Sequence, residues 1–417
     1  MYKFAHIADC HLGANREPVL QKLELAAFKN AFDKCVEKKV DFIIISGDLF
    51  HVNIPDMCVV NESVKKMKEV RDSGIQIYII YDSHDFSPNE TSMVDVLDSA
   101  GLVKKIVKGR VEEDKLKLEF SVDPKTGAKL AGMSARKMGL EKNYFEILDR
   151  EGLESETGFK IFAFHSALTE LKPEYLAGME SIPVSLLPKG FDYYAGGHVH
   201  QRTENNLSGY ERIVYPGPIF AGYPRDFEVS AKGEKRGFYI VSFDDKVNEV
   251  EFVEVSVCDS IYIEYDVSYK NSTQAQKELL ERLQSADVEN KLVVLKIKGE
   301  LSGGKTSDIS SGQLRNVLIE NGAIYVSINR YGFTSKEYAM VKVMGEDMPT
   351  IEKTLFSENI GAVKVTNEGL KGEKGVHLAT GLLKVVRQEQ KFNEAKKDYE
   401  EHVRRDALDV LQLKEGL

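Results

Sequence analysis

An α/β domain, a small α+β unit and a helical tail are the architecture that this 417-residue sequence predicts. Three observations carry that expectation. Short, nearly all-apolar runs such as 41–46 (DFIIIS) and 75–81 (IQIYIIY) alternate with helix-period segments through the first half. Near residue 256 the pattern changes to shorter strand–helix pairs. Beyond a Gly- and Lys-rich stretch at 361–375, the chain closes on a segment dense in Lys, Arg, Glu and Asp with one apolar face.

Taken in order, residues 3–8 (KFAHIA), 41–46, 75–81 and 160–165 (KIFAFH) read as strands. Between the first two, Leu20, Leu23, Ala27, Phe28, Ala31, Phe32 and Cys35 recur at steps of three and four, the spacing of an amphipathic helix. Strands apolar on both faces need cover on both sides. Segments 55–71 (Met57, Val60, Val64, Met67) and 91–100 (Met93, Val94, Leu97) are further amphipathic helices. Strands at 212–214 and 237–241 close a domain over 1–255. Strand 256–267, helix 273–285, strand 291–299, helix 310–320 and strand 323–329 make the second unit, assigned 256–345. The remainder, 346–417, reads as a linker and a helical segment. Its apolar face runs through Leu378, Leu382, Val385, Phe392, Ala395, Tyr399, Val403 and Ala407. Nothing obvious in the chain covers that stripe, which points to a partner helix or to packing on the second unit.

Composition sets limits on function. Apolar residues at 42% and charged residues at 29% are ordinary for a packed protein and exclude a disordered one. The four cysteines show no CxxC spacing, so neither a zinc ribbon nor a disulfide framework is expected. The N-terminus runs directly from a strand into a polar motif, without a basic and then apolar leader, and no apolar run approaches membrane-spanning length. The expectation is a soluble intracellular protein of the cytoplasm or nucleoid, with no membrane partner. A net charge of −10 argues against a nucleic-acid coat but leaves room for an enzyme whose basic groups are local.

Six of the nine histidines lie at or just past a strand end, beside Asp, Gly or another His. They fall in five motifs: Asp9-Cys10-His11-Leu12-Gly13, Gly47-Asp48-Leu49-Phe50-His51, Asp82-Ser83-His84-Asp85, His165 closing KIFAFH, and Gly197-His198-Val199-His200. Ligands of open α/β sheets gather outside the carboxyl ends of strands, so these loops can converge. Asp-x-His and His-x-His put both side chains on one side of an extended chain. Mixed carboxylate and imidazole donors suit Mn, Fe or Zn better than Ca or Mg, and this many ligands suit two ions bridged by a carboxylate such as Asp48. Glycines beside the ligands permit the tight turns required. His6 points to the opposite face from Asp9 and reads as structural.

The order DxHLG, GDLFH, HD, H and GHxH resembles the calcineurin-like metallophosphoesterase superfamily. More narrowly, DCHLG and GDLFH resemble the meiotic-recombination-eleven/SbcD family of DNA double-strand-break repair nucleases. The resemblance implies a two-sheet metallophosphoesterase sandwich flanked by helices, a capping domain that touches DNA, and a tail that binds an SbcC-type ABC ATPase. It also implies a homodimer through helices 55–71 and 91–100, and manganese-type exo- and endonuclease activity on double-stranded ends and single-stranded DNA, with Fe, Zn or Mg as alternative ions.

Position by position, the resemblance implies one metal on Asp9, His11, Asp48 and His200, and a second on Asp48, His165, His198 and the residue at Ser83. His84 would act on the phosphodiester without binding metal, with Asp85 or a carbonyl fixing its tautomer and His51 positioning it. The family reads Gly-Asn-His-Asp where this chain has Asp82-Ser83-His84-Asp85. A Ser hydroxyl is shorter and a poorer ligand than an Asn carbonyl, so Ser83 ligates directly or through water, or Asp82 bends in, and the second site is weaker. Tyr215-Pro216-Gly217-Pro218 also departs, since the family has Ser after that Gly. Phosphate contacts position DNA without reading its sequence. Candidates are Asn15, Arg16 and Arg202 in the first domain, and Asn329 and Arg330 in the second.

Overall fold

The structure is a computed structural model and describes residues 1–81, 92–134, 141–336, 348–362, 368–390 and 396–411. The chain enters on β1 (Tyr2–Ile7), crosses through α1 (Pro18–Glu37) to β2 (Phe42–Ser46), and through α2 (Met57–Asp72) to β3 (Gln76–Ile80). Helix α3 (Met93–Ser99), closed by a Ser92/Asp95 capping box, leads to the short β4 (Lys104–Lys105). These four strands pair in parallel. A hairpin, β5 (Gly109–Glu112) and β6 (Lys115–Leu118), stands apart.

Strands β7 (Ser121–Val122) and β8 (Lys129–Met133), helices α4 (Glu141–Glu146) and α5 (Arg150–Glu154), and strands β9 (Lys160–His165), β10 (Tyr193–Gly197), β11 (Thr203–Leu207) and β12 (Tyr210–Tyr215) follow. Their strands form a second sheet in the order β11-β12-β10-β9-β8-β7. After α6 (Pro224–Ala231), β13 (Gly237–Phe243) and β14 (Val247–Glu254) return antiparallel to the first sheet, completing β14-β13-β1-β2-β3-β4.

Strand parity explains the layering. Phe4, Phe42, Ile44, Tyr78 and Ile80 of the first sheet meet Leu130, Ile161, Ala163, Tyr193 and Val214 of the second in one buried cluster. The alternate residues Ala5, Ile7, Ile43, Ile45, Ile77 and Ile79 face outward onto Phe28, Phe32, Met67 and Leu97 of the helices. On the far side, Phe162 and Phe164 pack with Leu153, Leu187 and Tyr215. Helices thus flank both sheets, α1, α2 and α3 on the outer face of the first and α4 and α5 through Phe145 and Leu153 on that of the second, while the two sheets cover each other.

The smaller unit holds β15 (Asp259–Asp266), α7 (Ser272–Gln284), β16 (Lys291–Leu301), α8 (Ser311–Glu320), β17 (Tyr325–Asn329) and β18 (Phe333–Ser335). Asn271 and Ser310 cap its helices by accepting from the amides of Gln274 and Gln313. Strand β16 runs parallel to β15 and β17, with Val293, Leu295 and Ile297 packed on Leu279, Leu283, Leu314 and Leu318. Its other face sends Leu292 and Val294 into the cluster of Phe227, Val253 and Val255, so Met1–Thr334 forms one compact unit.

Ser335–Leu417 is a second compact unit. It carries α9 (Met348–Ala362), α10 (Gly372–Val386) and α11 (Lys396–Val410), with α10 packed on both neighbours. Part of what the sequence reads as linker is therefore helix. Val376 and Val385 of α10 are buried, and the Tyr399 hydroxyl donates to the Gln388 carbonyl at 2.8 Å. The tail supplies part of the cover for its own apolar stripe.

Candidate metal centre

The first two motifs leave β1 and β2 side by side and remain bonded. The His11 amide donates to the Asp48 carbonyl at 2.8 Å, Leu12 to Leu49 at 3.0 Å, and His51 back to Leu12 at 3.0 Å. This lacing turns Asp9, His11 and Asp48 toward one point. The cost is backbone strain: φ is +52° at Asp9, +44° at His11, +50° at Asp48 and +85° at His198, a region L-residues avoid. Two glycines make room for a third histidine. A Cβ on Gly47 would lie 2.2 Å from His165 Nδ1, and one on Gly197 would lie 2.6 Å from the same atom and 2.0 Å from the Ser46 carbonyl oxygen.

Donor atoms converge in two groups, Asp9–His11–His200 and Asp9–Asp48–His165, each within 4.8 Å. Asp48 Oδ2 lies 3.3 Å from His11 Nε2 and 3.3 Å from His165 Nε2, between the two imidazoles. His11 Nε2 and His200 Nε2 are 3.0 Å apart, both directed at one place. Asp9, His11, Asp48 and His165 are buried. Packing acidic oxygens and imidazole nitrogens this closely in a dry site is the donor chemistry of borderline divalent ions, and the residues fit such ions.

A second layer fixes the rings. His165 Nδ1 lies 2.7 Å from the Ser46 carbonyl, so Nδ1 carries the proton and Nε2 faces Asp48. His200 Nδ1 lies 2.9 and 3.1 Å from the two carboxylate oxygens of Asp226, leaving Nε2 toward His11. Burial opposes charge on both partners, yet their contact prevails: His200 titrates above its ordinary range and Asp226 below its own. Arg236 supports the pair by donating to the carbonyls of His200 (3.0 Å) and Asp226 (3.1 Å). The Tyr223 ring lies 5.4 Å from His11, 5.7 Å from His51 and 5.4 Å from His200.

Residues 2–202 match the calcineurin-like phosphoesterase family. The DNA double-strand break repair protein Mre11 of Archaeoglobus fulgidus is 25% identical over 383 residues, covering 83% of this chain and 81% of that protein. The Mre11 protein of Sulfolobus acidocaldarius is 24% identical over 360 residues, covering 84% and 86%. That of Methanococcus maripaludis is 26% identical over 297 residues, covering 68% and 74%. Residues 2–202 therefore carry a calcineurin-like phosphoesterase domain, and over most of its length the chain is similar to the Mre11 proteins. Its sandwich is the calcineurin-like fold, and the converged donors make it a metal-dependent phosphodiesterase.

The other predicted residues of this metallophosphoesterase take varied places. His198 joins neither donor group: its ring packs against His165 at 5.2 Å and its Nε2 lies 3.0 Å from Met179 Sδ. His51 is half-buried, with its ring 5.5 Å from that of His11. Asp82, Ser83, His84 and Asp85 lie outside the described residues. Asn15 is buried and donates to the Ala221 carbonyl at 3.2 Å, while Arg16 is exposed. The Arg202 guanidinium stacks 4.1 Å from the centre of the Phe252 ring. Asn329 donates to Glu228 at 2.7 Å, and Arg330 is engaged by the Thr306 and Ile309 carbonyls and the Ser311 hydroxyl. His6 is buried, bonded to Tyr193 and Ser46 at 3.0 Å each, and burial lowers it to about 3, so it is neutral. No helix among the described residues is long and apolar enough to cross a membrane.

Sequence reasoning missed Asp226, Arg236, Tyr223 and Met179. Only Asp226 left a signal, at the third position of a helix opened by Pro224.

Proposed function

We propose that the chain is a two-metal DNA nuclease that processes double-strand breaks, with exo- and endonuclease activity and an SbcC-type ABC ATPase as partner. The observation that carries this reading is Asp48 Oδ2, equidistant at 3.3 Å from His11 Nε2 and His165 Nε2, the position of a carboxylate shared between two ions. The named activity of the Mre11 relatives supplies DNA as the substrate. Manganese is the ion proposed, since the donors mix imidazole and carboxylate.

When bound, divalent cations neutralise phosphoryl oxygens and activate water at neutral pH. Asp9, His11, Asp48 and His200 would hold one, and Asp48, His165, His198 and the residue at Ser83 would hold the other. His198 would have to leave Met179 to serve as a ligand. The Ser46 carbonyl and Asp226 keep His165 and His200 in the tautomers that present Nε2. His84 would stabilise or protonate the departing sugar oxygen, with Asp85 or a backbone carbonyl fixing its tautomer and His51 helping to position it.

DNA phosphates meet Arg16 and Arg202 first. Asn15, Asn329 and Arg330 reach DNA only by giving up present bonds, so they shape the surface more than they grip. Homodimerisation uses α2 and α3, where Met57 and Val96 are exposed at 67% and 52%, with Ile54 exposed just ahead of α2. The ATPase docks on the C-terminal helices. Incubation with manganese and linear duplex, single-stranded DNA or a chromogenic phosphodiester tests the reading. Cleavage of both DNAs supports it. Turnover of the chromogenic ester alone marks another phosphoesterase, and no turnover marks a scaffold.

A further inference from the structure

Beside the metal centre, two cavities of about 500 and 200 Å³ share Tyr175, Gln201 and Arg225. The smaller is walled by His200, Asp226 and Arg236, so the groove begins at a metal-ligand candidate and runs outward. Two arginines line it, and they do different things. Arg236 is consumed internally by the Ser230 hydroxyl and the carbonyls of His200 and Asp226. Arg225 is exposed and forms no ion pair within 4 Å among the described residues, although Glu174 and Glu234 also line the groove. Its guanidinium carbon sits 3.5 Å from the centre of the Tyr175 ring.

That geometry prepares a cation. The ring supports the guanidinium from one face and restricts its rotamers, leaving N–H groups and the opposite face to a ligand. A planar cation so held binds a phosphate through its edge or stacks beneath a base, as arginines do on single strands. The larger cavity is a shallow, open depression, a shape that admits an extended strand.

We infer that Tyr175 and Arg225 form a subsite for the nucleotide next to the scissile bond on an unpaired strand, with Arg225 on its phosphate. This rests on the nuclease reading above and adds the substrate element beside the cut. Neither side chain is a ligand candidate, so the subsite acts on strand binding and leaves the ions alone.

The test uses the full chain in EDTA and a short fluorescent oligothymidylate, followed by anisotropy across a salt series. Arg225→Ala should weaken binding about tenfold and flatten the slope of log K against log salt by about 0.7, the signature of one lost phosphate contact. Arg225→Lys should keep the slope and recover only part of the affinity. Tyr175→Phe should bind as wild type, and Tyr175→Leu should weaken. Manganese affinity should not move in any variant. Unchanged affinity and slope in Arg225→Ala would overturn the subsite, as would a parallel loss of manganese binding, which would place Arg225 in service of the metal centre. A wild type that turns over a chromogenic diester yet neither binds nor cuts DNA refutes the nuclease reading and takes the subsite with it.

Discussion

Replacing Asp226 by Asn probes the second layer most cleanly. Its two oxygens lie 2.9 and 3.1 Å from His200 Nδ1 and its side chain is only 4% exposed, so water does not screen the pair. An Asn retains the shape and one acceptor, which also preserves the bonds from the Gly222 and Tyr223 amides that open α6. What it removes is the charge that makes His200 a stronger base. Losing such a partner typically lowers metal affinity 10–100-fold. With one acceptor kept, the lower end applies: about tenfold, or roughly 1.4 kcal/mol, at the ion held by His200. The effect depends on pH. Asp226 raises the proton affinity of His200 in the metal-free chain, so protons compete with the ion at a higher pH in wild type than in the variant. The wild-type advantage should be full near pH 8 and shrink toward pH 6. Calorimetric titration of manganese into chelator-stripped protein at both pH values measures this. Equal affinities at pH 8, with the variant folded by circular dichroism, would refute the assigned role.

Gly47→Ala combines a disfavoured φ of +87° with a Cβ 2.2 Å from His165 Nδ1. It should cost roughly 2–4 kcal/mol in urea unfolding and abolish one of two manganese equivalents; intact stoichiometry would contradict the packing argument. Glu24, buried on α1, is pushed up to about 7 by desolvation against the pull of the Ala14, Gly13 and Asn15 amides. The folded chain keeps a proton that the unfolded chain releases near 4.5, so this group's contribution to stability falls as pH rises from about 4.5 to 7, by roughly 3 kcal/mol. Glu24→Gln lacks that loss, and its stability relative to wild type should climb over the interval; parallel curves would count against the burial argument. His84→Ser should bind manganese as wild type and lose most DNA cleavage, and a fall in metal occupancy would instead make His84 a ligand.

Legibility followed how local the determinant is. Residues 160–165 coincide with β9, and 41–46 differs from β2 by one residue, because these runs are apolar on both faces and need no partner to be recognised. The helix seen through Leu20 to Cys35 spans Pro18–Glu37 for the same reason. Strand β10 (YYAGG) and strand β11 (TENNL) go unread: one ends on two glycines, the other is polar, and pairing with β9 and β12 makes them strands. Ligand candidates are legible because a loop after a strand end can be read from a few residues. Asp226 is not, since it meets His200 from 26 positions away through a helix that only tertiary packing places there. The sandwich itself was legible through the motifs' resemblance; strand patterns alone show a covered sheet without saying what covers it.

The strain at the site explains why it sits where it does. Asp9, His11, Asp48 and His198 each hold a positive φ, and such residues cost on the order of 1–3 kcal/mol apiece. A surface loop would relax out of that geometry. Here Phe42 and Ile44 on one face of β2, and Ile43 and Ile45 on the other, are fully buried, which anchors the strand feeding Asp48 from both sides. The burial of each such side chain contributes roughly 1.5–3 kcal/mol, so a single strand outweighs the strain of the ligand that leaves it. Strands apolar on both faces are therefore more than a signature of layered architecture. They supply the rigidity that lets carboxylates and imidazoles be held closer together than they would stand in water, in the arrangement a divalent cation requires.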